Sequence, residues 1–227
     1  MLTSNEIKKK LGEYAAGLIG SDMLIGLGTG STVYWLIQEL GKRVGEGLHI
    51  TIVPTSTQTK VLASELGMQV AELNDVDSIA FTIDGADEAD PQFQLIKGGG
   101  GALLREKMVA AASQELIIIV DESKMVENLG KFPLPVEVIP FGWNHVRRRI
   151  KQLGCEEIIL RQKEGKTFIS DQGNYILDCH FQIIAEAAKL NEELNLIPGV
   201  VETGLFIDMA TAIITGYEDG RIEVKRK

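Results

Sequence analysis

Three runs of residues in this chain carry groups able to act on a small anionic molecule. The first is Gly26-Leu27-Gly28-Thr29-Gly30-Ser31-Thr32, between an apolar run and a helical pattern. Glycines let the backbone turn sharply and approach a ligand, and the N–H groups of a helix start, with the hydroxyls of Ser31 and Thr32, form an anion site. A phosphate would bind there, which makes Thr29, Gly30, Ser31 and Thr32 candidate binding residues. A P-loop would need a lysine beside Ser31, and none is present. A dinucleotide fold would want an acid at the end of the next strand, but that run, Ile50 to Val53, leads into Pro54-Thr55-Ser56-Thr57. A structural strand-to-helix turn with a serine cap is the plain alternative.

The second run, Asp84-Gly85-Ala86-Asp87-Glu88, directly follows apolar Ile79 to Ile83. Ligands of open parallel sheets bind beyond the carboxyl ends of the strands, where these carboxylates would stand. A solvated acidic turn is the bland reading. A metal centre is a further one, but His49, His145 and His180 all lie elsewhere, and the spacing is not that of a calcium loop. The third run is Lys97-Gly98-Gly99-Gly100-Gly101-Ala102-Leu103-Leu104-Arg105-Glu106-Lys107. Consecutive glycines maximise the entropy lost on ordering, so they suit a backbone packed against a ligand better than a passive loop. Glu106 falls early in the following helix, where the dipole favours a carboxylate; a charged helix surface is the alternative for Arg105 and Glu106. Together the runs offer a phosphate anchor, two aspartates, a lysine and a glutamate. Aldose–ketose isomerisation needs such a set, with a base near C1 and C2 and a cation or dipoles to hold an enediolate oxygen. It requires no metal and no other cofactor.

The elements that must position these groups follow from periodicity. A helix with Leu11, Ala15 and Leu18 on one face opens the chain and stops at Gly20. Met23 to Leu27 reads as a buried strand, and Ser31 to Leu40 as a helix with Val33, Leu36, Ile37 and Leu40 on its core face. Strand His49 to Val53, helix Gln58 to Leu66, strand Ile79 to Ile83, helix Leu103 to Ala112 and strand Leu116 to Val120 continue the alternation. Buried strands alternating with helices imply an α/β, Rossmann-like parallel sheet domain over residues 1–125. After Phe132-Pro133-Leu134-Pro135 the order becomes strand (Val136 to Ile139), helix (His145 to Leu153), strand (Glu157 to Arg161), strand character (Phe168 to Ile176), helix (Ile183 to Leu194) and strand (Val200 to Phe206). That is a second, smaller α+β ferredoxin-like domain over 130–206. Thr211 to Gly216 and Arg221 to Val224 read as closing strands that return to the first domain.

Composition narrows the class. A chain of 227 residues fits one large or two small domains. A formal net charge of -9 repels polyanions, and the one dense basic run, Arg147, Arg148, Arg149 and Lys151, reads as a solvated helix face, so no nucleic-acid partner is expected. Cys155 and Cys179 form no C-x-x-C or disulfide framework and fit a reducing compartment. The polar N-terminus lacks the apolar core of a signal peptide, and no apolar run approaches the roughly 18 residues that suggest a membrane span. A cytoplasmic protein without a membrane partner is the expectation.

The motifs GLGTGSTV, DGADE, KGGGGALLREK, DESK (Asp121 to Lys124), LGKFPLPVEVIP and IPGVVETGLF, in this order over essentially the whole chain, closely resemble the ribose-5-phosphate isomerase A family. The resemblance implies a metal-independent interconversion of ribose 5-phosphate and ribulose 5-phosphate in the pentose phosphate pathway, by a homodimer or homotetramer. It implies Glu106 as general base, with Thr29 to Thr32, Asp84, Gly85, Ala86, Asp87, Lys97, Gly98, Gly99, Gly100 and Lys124 lining the substrate site. On this reading Ser31 and Thr32, with the helix start and Lys8, hold the 5-phosphate. Asp84 and Asp87 assist ring opening, and Lys97 steadies the enediolate. Gly101 and Leu104 depart from the alanine and threonine usual there, and residues 55–60 and Phe141 to Arg149 are locally atypical; none removes a needed group. Two other classes fit parts of the pattern: a non-catalytic sugar-phosphate sensor, and an amino-sugar-phosphate deaminase or CoA transferase.

Overall fold

The computed structural model describes residues 1–227. In chain order the elements are α1 (Ser4–Ala16), β1 (Met23–Leu27), α2 (Ser31–Gly45), β2 (Ile50–Pro54), α3 (Thr57–Glu65), β3 (Gln69–Val70), β4 (Thr82–Asp84), β5 (Glu88–Ala89), β6 (Leu95–Ile96), α4 (Leu103–Ala111), β7 (Leu116–Asp121), β8 (Leu134–Val138), α5 (Trp143–Lys151), β9 (Glu157–Leu160), β10 (Gln162–Lys163), β11 (Lys166–Thr167), β12 (Tyr175–His180), α6 (Ala187–Asn195), β13 (Val200–Thr203), β14 (Leu205–Phe206), β15 (Ala212–Gly216) and β16 (Ile222–Arg226). They divide into two compact units.

Unit 1 comprises Met1–Ala86, Arg105–Met125 and Met209–Lys227. Its seven-stranded sheet has the order β16-β15-β7-β4-β1-β2-β3, parallel throughout except for β16. Every residue of β7 and of β15 is buried, as a strand covered on both faces requires. α1 begins with a capping box, in which the Thr3 hydroxyl accepts from the Glu6 N–H and the Glu6 carboxylate from the Thr3 N–H. The buried face of α1 is Ile7, Leu11, Ala15 and Ala16. Leu18, expected on that face, is 42% exposed, because the helix ends at Ala16 and the 3.6-residue period with it. The strand expected over Ile79 to Ile83 forms at Thr82–Asp84, and Ile79 makes only an isolated bridge to Ser113.

Unit 2 comprises Asp87–Leu104 and Val126–Asp208. Residues 87–104, placed by sequence in a 1–125 domain, belong here. Its four-stranded antiparallel sheet has the order β13-β8-β12-β9, which with α5 and α6 is the ferredoxin-like arrangement. Leu134, Val136, Val138, Ile158, Leu177 and Cys179 point to the core beneath the helices. Three expected elements differ in extent. The stretch expected as strand from Phe168 turns at Ser170–Asn174, where Ser170 N–H donates to Asn174 O and Gly173 takes φ +80°, and β12 starts only at Tyr175. α6 starts at Ala187, not Ile183, because Ile184 instead bridges to Leu129. The run Val200 to Phe206 breaks at Gly204: a Cβ there would lie 2.4 Å from the Lys97 carbonyl oxygen. Beyond the break, β14 joins a separate three-stranded sheet, β14-β6-β5. No helix is long and apolar enough to cross a membrane.

Candidate active site

In unit 1 the parallel strands end at one edge of the sheet, and the loops leaving that edge carry most of the candidates. β1 leads into Gly28, whose N–H donates to Ile83 O at 2.9 Å. A Cβ on Gly28 would stand 2.1 Å from Asp84 Oδ1, so glycine alone lets the loop cross the end of β4. Asp84 is fully buried, and its Oδ1 accepts from Thr29 N at 3.1 Å and from Gly85 N at 2.8 Å. One carboxylate thus fixes both its own loop and the glycine loop. The Thr29 hydroxyl donates to Ser56 Oγ at 2.8 Å and lies 2.8 Å from Thr55 Oγ1. Thr59 Oγ1 donates to Gly28 O at 2.8 Å. Three hydroxyls beyond β2, those of Thr55, Ser56 and Thr59, therefore brace the loop, and sequence reasoning does not single them out as functional. Their signal was the run of hydroxyls where a dinucleotide fold would have an acid.

α2 starts at Ser31 with Gly30 as its cap, at φ 120°, and no side chain satisfies its first N–H groups. Ser31 is exposed and Thr32 half-buried beside those donors. The positive end of a 15-residue helix is thus left open for an anion. Lys8 is half-buried on α1, which packs along α2. Lys124 is half-buried in the 3-10 turn Glu122–Lys124 at the end of β7, a turn that Asp121 caps through Ser123 N at 3.1 Å. Glu106 sits in the first turn of α4 and is 3% exposed. One turn later Val109 packs over Gly26 of β1. α4 precedes β7 and runs back along the sheet, so Glu106 stands toward the carboxyl edge.

In unit 2, Asp87 and the glycine run form a second group. Asp87 N–H donates to Ile96 O at 2.8 Å, and Asp87 Oδ2 accepts from Gly99 N at 2.7 Å. Lys97 is 2% exposed, with its N–H on Gly204 O and its ammonium 5.3 Å from the centre of the Phe206 ring, a cation–π contact. Gly98 takes φ +104° and its carbonyl accepts from Gly101 N at 2.9 Å, closing a turn on which Gly99 and Gly100 are exposed. Glu88, the last acid of the DGADE run, is buried and accepts from Gly130 N at 2.7 Å and Phe132 N at 2.6 Å. It holds a loop and is spent on structure. Unit 1 thus holds Lys8, Thr29 to Thr32, Asp84, Gly85, Ala86, Glu106 and Lys124, of which Asp84 directly joins Thr29 and Gly85, and unit 2 holds Asp87, Lys97 and Gly98 to Gly100. The chain passes between units after Ala86 and again after Leu104. No group of three or more His, Cys, Asp or Glu side chains is placed to hold a metal ion.

A family model for ribose 5-phosphate isomerase A (phosphoriboisomerase A) matches residues 51–220. Ribose-5-phosphate isomerase A of Bacillus anthracis is 57% identical over 216 residues, covering 95% of this chain and 98% of that protein. The protein of that name from Listeria monocytogenes is 51% identical over 220 residues, covering 97% and 98%. Among solved structures, a D-ribose-5-phosphate isomerase in complex with phospho-erythronic acid superimposes with a TM-score of 0.95 at 39% identity, with both chains covered in full. Ribose 5-phosphate isomerase A from Methanocaldococcus jannaschii gives 0.93 at 39% identity, covering 99% of this chain and 100% of that one. Six motifs in order, a seven-stranded sheet with its loops at one edge and these likenesses agree: the chain belongs to the ribose-5-phosphate isomerase A family.

Proposed function

We propose that the chain, an isomerase interconverting ribose 5-phosphate and ribulose 5-phosphate, works through an enediolate with Glu106 as its base and no metal. The observation that carries this reading is Glu106 itself, a 3%-exposed carboxylate in the first turn of α4 toward the carboxyl edge of the parallel sheet. A phosphorylated acid in the solved relative supports a site for a sugar phosphate here. The 5-phosphate takes the open N–H groups of α2 and the hydroxyls of Ser31 and Thr32, with Lys8 and Lys124 supplying positive charge. Asp84 and Asp87 orient the ring hydroxyls and assist opening to the free aldehyde. Glu106 removes the C2 proton, leaving a cis-enediolate, and returns it to C1 as the O2 proton passes to O1, which leaves the C2 carbonyl of the ketose. Lys97 and the N–H groups of the glycine run stabilise the charge that develops on oxygen.

Family membership sets aside the sensor, deaminase and transferase alternatives. The two thiols take no part: both are buried among the apolar side chains of the unit 2 core, and burial pushes Cys179 well above the ordinary thiol range. Free, buried cysteines support a reducing, cytoplasmic location. Homodimeric or homotetrameric assembly is the expectation from the resemblance. The test is conversion of ribose 5-phosphate in excess EDTA. We expect an unchanged rate; loss of turnover that a divalent cation restores would sink the metal-free reading.

A further inference from the structure

We propose that Arg161 is a positioning residue that locks the Gly98–Gly99 peptide and, through it, the carboxylate of Asp87. The proposal rests on the reading of Asp87 as a group that acts on substrate. Arg161 follows β9, and on β9 and β12 the residues Ile158, Leu160, Leu177 and Cys179 face the helix-covered core. Arg161 and Asp178 therefore project from the opposite face of the four-stranded sheet. There the guanidinium meets Asp178 in a two-pronged pair, with Nε on Oδ2 at 3.0 Å and Nη2 on Oδ1 at 2.5 Å. Its remaining edge is aimed at the glycine run, where Nη1 donates to Gly98 O at 2.7 Å and to Gly99 O at 3.2 Å.

The Gly98 carbonyl and the Gly99 N–H belong to one peptide group. A cation thus holds its oxygen, while the Asp87 carboxylate holds its N–H at 2.7 Å. With glycine on both sides, no Cβ of its own residues resists rotation of this peptide. A flipped peptide would turn its carbonyl oxygen onto the Asp87 carboxylate and its N–H onto the guanidinium, mismatching both ends. Arg161, together with the Gly101 N–H that also donates to Gly98 O at 2.9 Å, makes the observed orientation the stable one, and its planar, two-edged donor set is what a lysine could not reproduce. The arginine is itself held on several sides. Its N–H donates to Ile176 O, its carbonyl accepts from Phe168 N, and its guanidinium lies 6.0 Å from the Phe168 ring centre. That ring fills the space where a Cβ on Gly101 would stand, 2.4 Å from Cζ.

The experiment is a double-mutant cycle in the full-length enzyme, combining Arg161→Met with Asp87→Asn and reading kcat, KM and thermal unfolding. Lost charge-assisted hydrogen bonds predict a fall in kcat of about 10–100-fold for Arg161→Met, with KM changed far less. If the arginine acts through Asp87, the double variant is no slower than Asp87→Asn alone. Arg161→Lys, which keeps a positive partner for Asp178, should recover part of the rate. Wild-type kcat in folded Arg161→Met, or losses that multiply in the double variant, overturns the proposal and leaves the reading of Asp87 standing. Wild-type kcat in Asp87→Asn overturns that reading and the proposal with it. Should Arg161→Met fail to fold, Arg161→Lys decides on the same criterion: a loss absent in the Asp87→Asn background supports the proposal, and multiplying losses overturn it.

Discussion

Glu106, 3% exposed in the first turn of α4, is the residue on which the proposed chemistry turns. Glu106→Gln keeps the size of the side chain and removes the base, so kcat should fall by about 10²–10⁴-fold while KM holds. In deuterated water the wild-type enzyme should place label at C1 of ribulose 5-phosphate, and the variant should place almost none. Near-normal turnover in a folded Glu106→Gln protein would give the base to another residue. At this scale the sequence was legible where a residue's type and its place at a strand or helix end coincide, as for Asp84 and Glu106. It was silent on Arg161, whose partners at Gly98 and Gly99 stand about sixty residues away in the chain. Glu88 shows the converse error that a motif invites. It shares a run with Asp84 and Asp87, yet its two oxygens are taken by backbone N–H groups at Gly130 and Phe132.

Among the elements, the loop from β1 to α2 is where local chemistry and tertiary packing agree most closely. Gly28 is required by the approach to Asp84, and Gly30 by its φ of 120°. Both glycines were visible as a motif, but the reason for the first is a contact made across the sheet. The helix start carries no side-chain cap, and the proposed mechanism puts the substrate phosphate on its N–H groups and on the hydroxyls of Ser31 and Thr32. Replacing both by alanine should therefore weaken substrate capture before it harms the fold. With hydrogen bonds to a charged group worth about 1.5–3 kcal/mol each, kcat/KM should fall at least tenfold, mostly through KM. Unchanged steady-state constants in that double variant would remove the loop from the site. Long apolar strands such as β7 were readable as elements, whereas β5, β6 and β14, of two residues each, are too short for any period to register.

For the molecule as a whole, those short strands explain why residues 87–104 were read into the wrong domain: what places them in unit 2 is pairing with β14, more than a hundred residues later. The closing strands make a complementary case, since their burial is a property of unit 1 rather than of their own sequence. β15 lies parallel to β7 over five paired positions, and Ala212, Ile213 and Ile214 are each at most 2% exposed. Gly216, its last residue, lies against Ile7 and Leu11 of α1, where a Cβ would come within 2.8 Å. β16 is different: it is the sheet's edge, half-buried at Ile222 and Glu223 and exposed from Val224 onward. A chain ending at Ala210 would expose the flank of β7 and the underside of α1. The lost side-chain burial, at about 1.5–3 kcal/mol per large apolar residue, and the lost ladder, at about 1 kcal/mol per hydrogen bond, together approach the whole stability of an ordinary domain, about 5–15 kcal/mol. That chain should show no cooperative thermal transition by circular dichroism and no isomerase activity. A chain ending at Gly220 gives up only the edge strand and should melt cooperatively at a lower temperature, with kcat retained. Cooperative melting of the Ala210 chain near the full-length temperature would show that unit 1 closes without β15, against the register and burial on which its place in the sheet is argued.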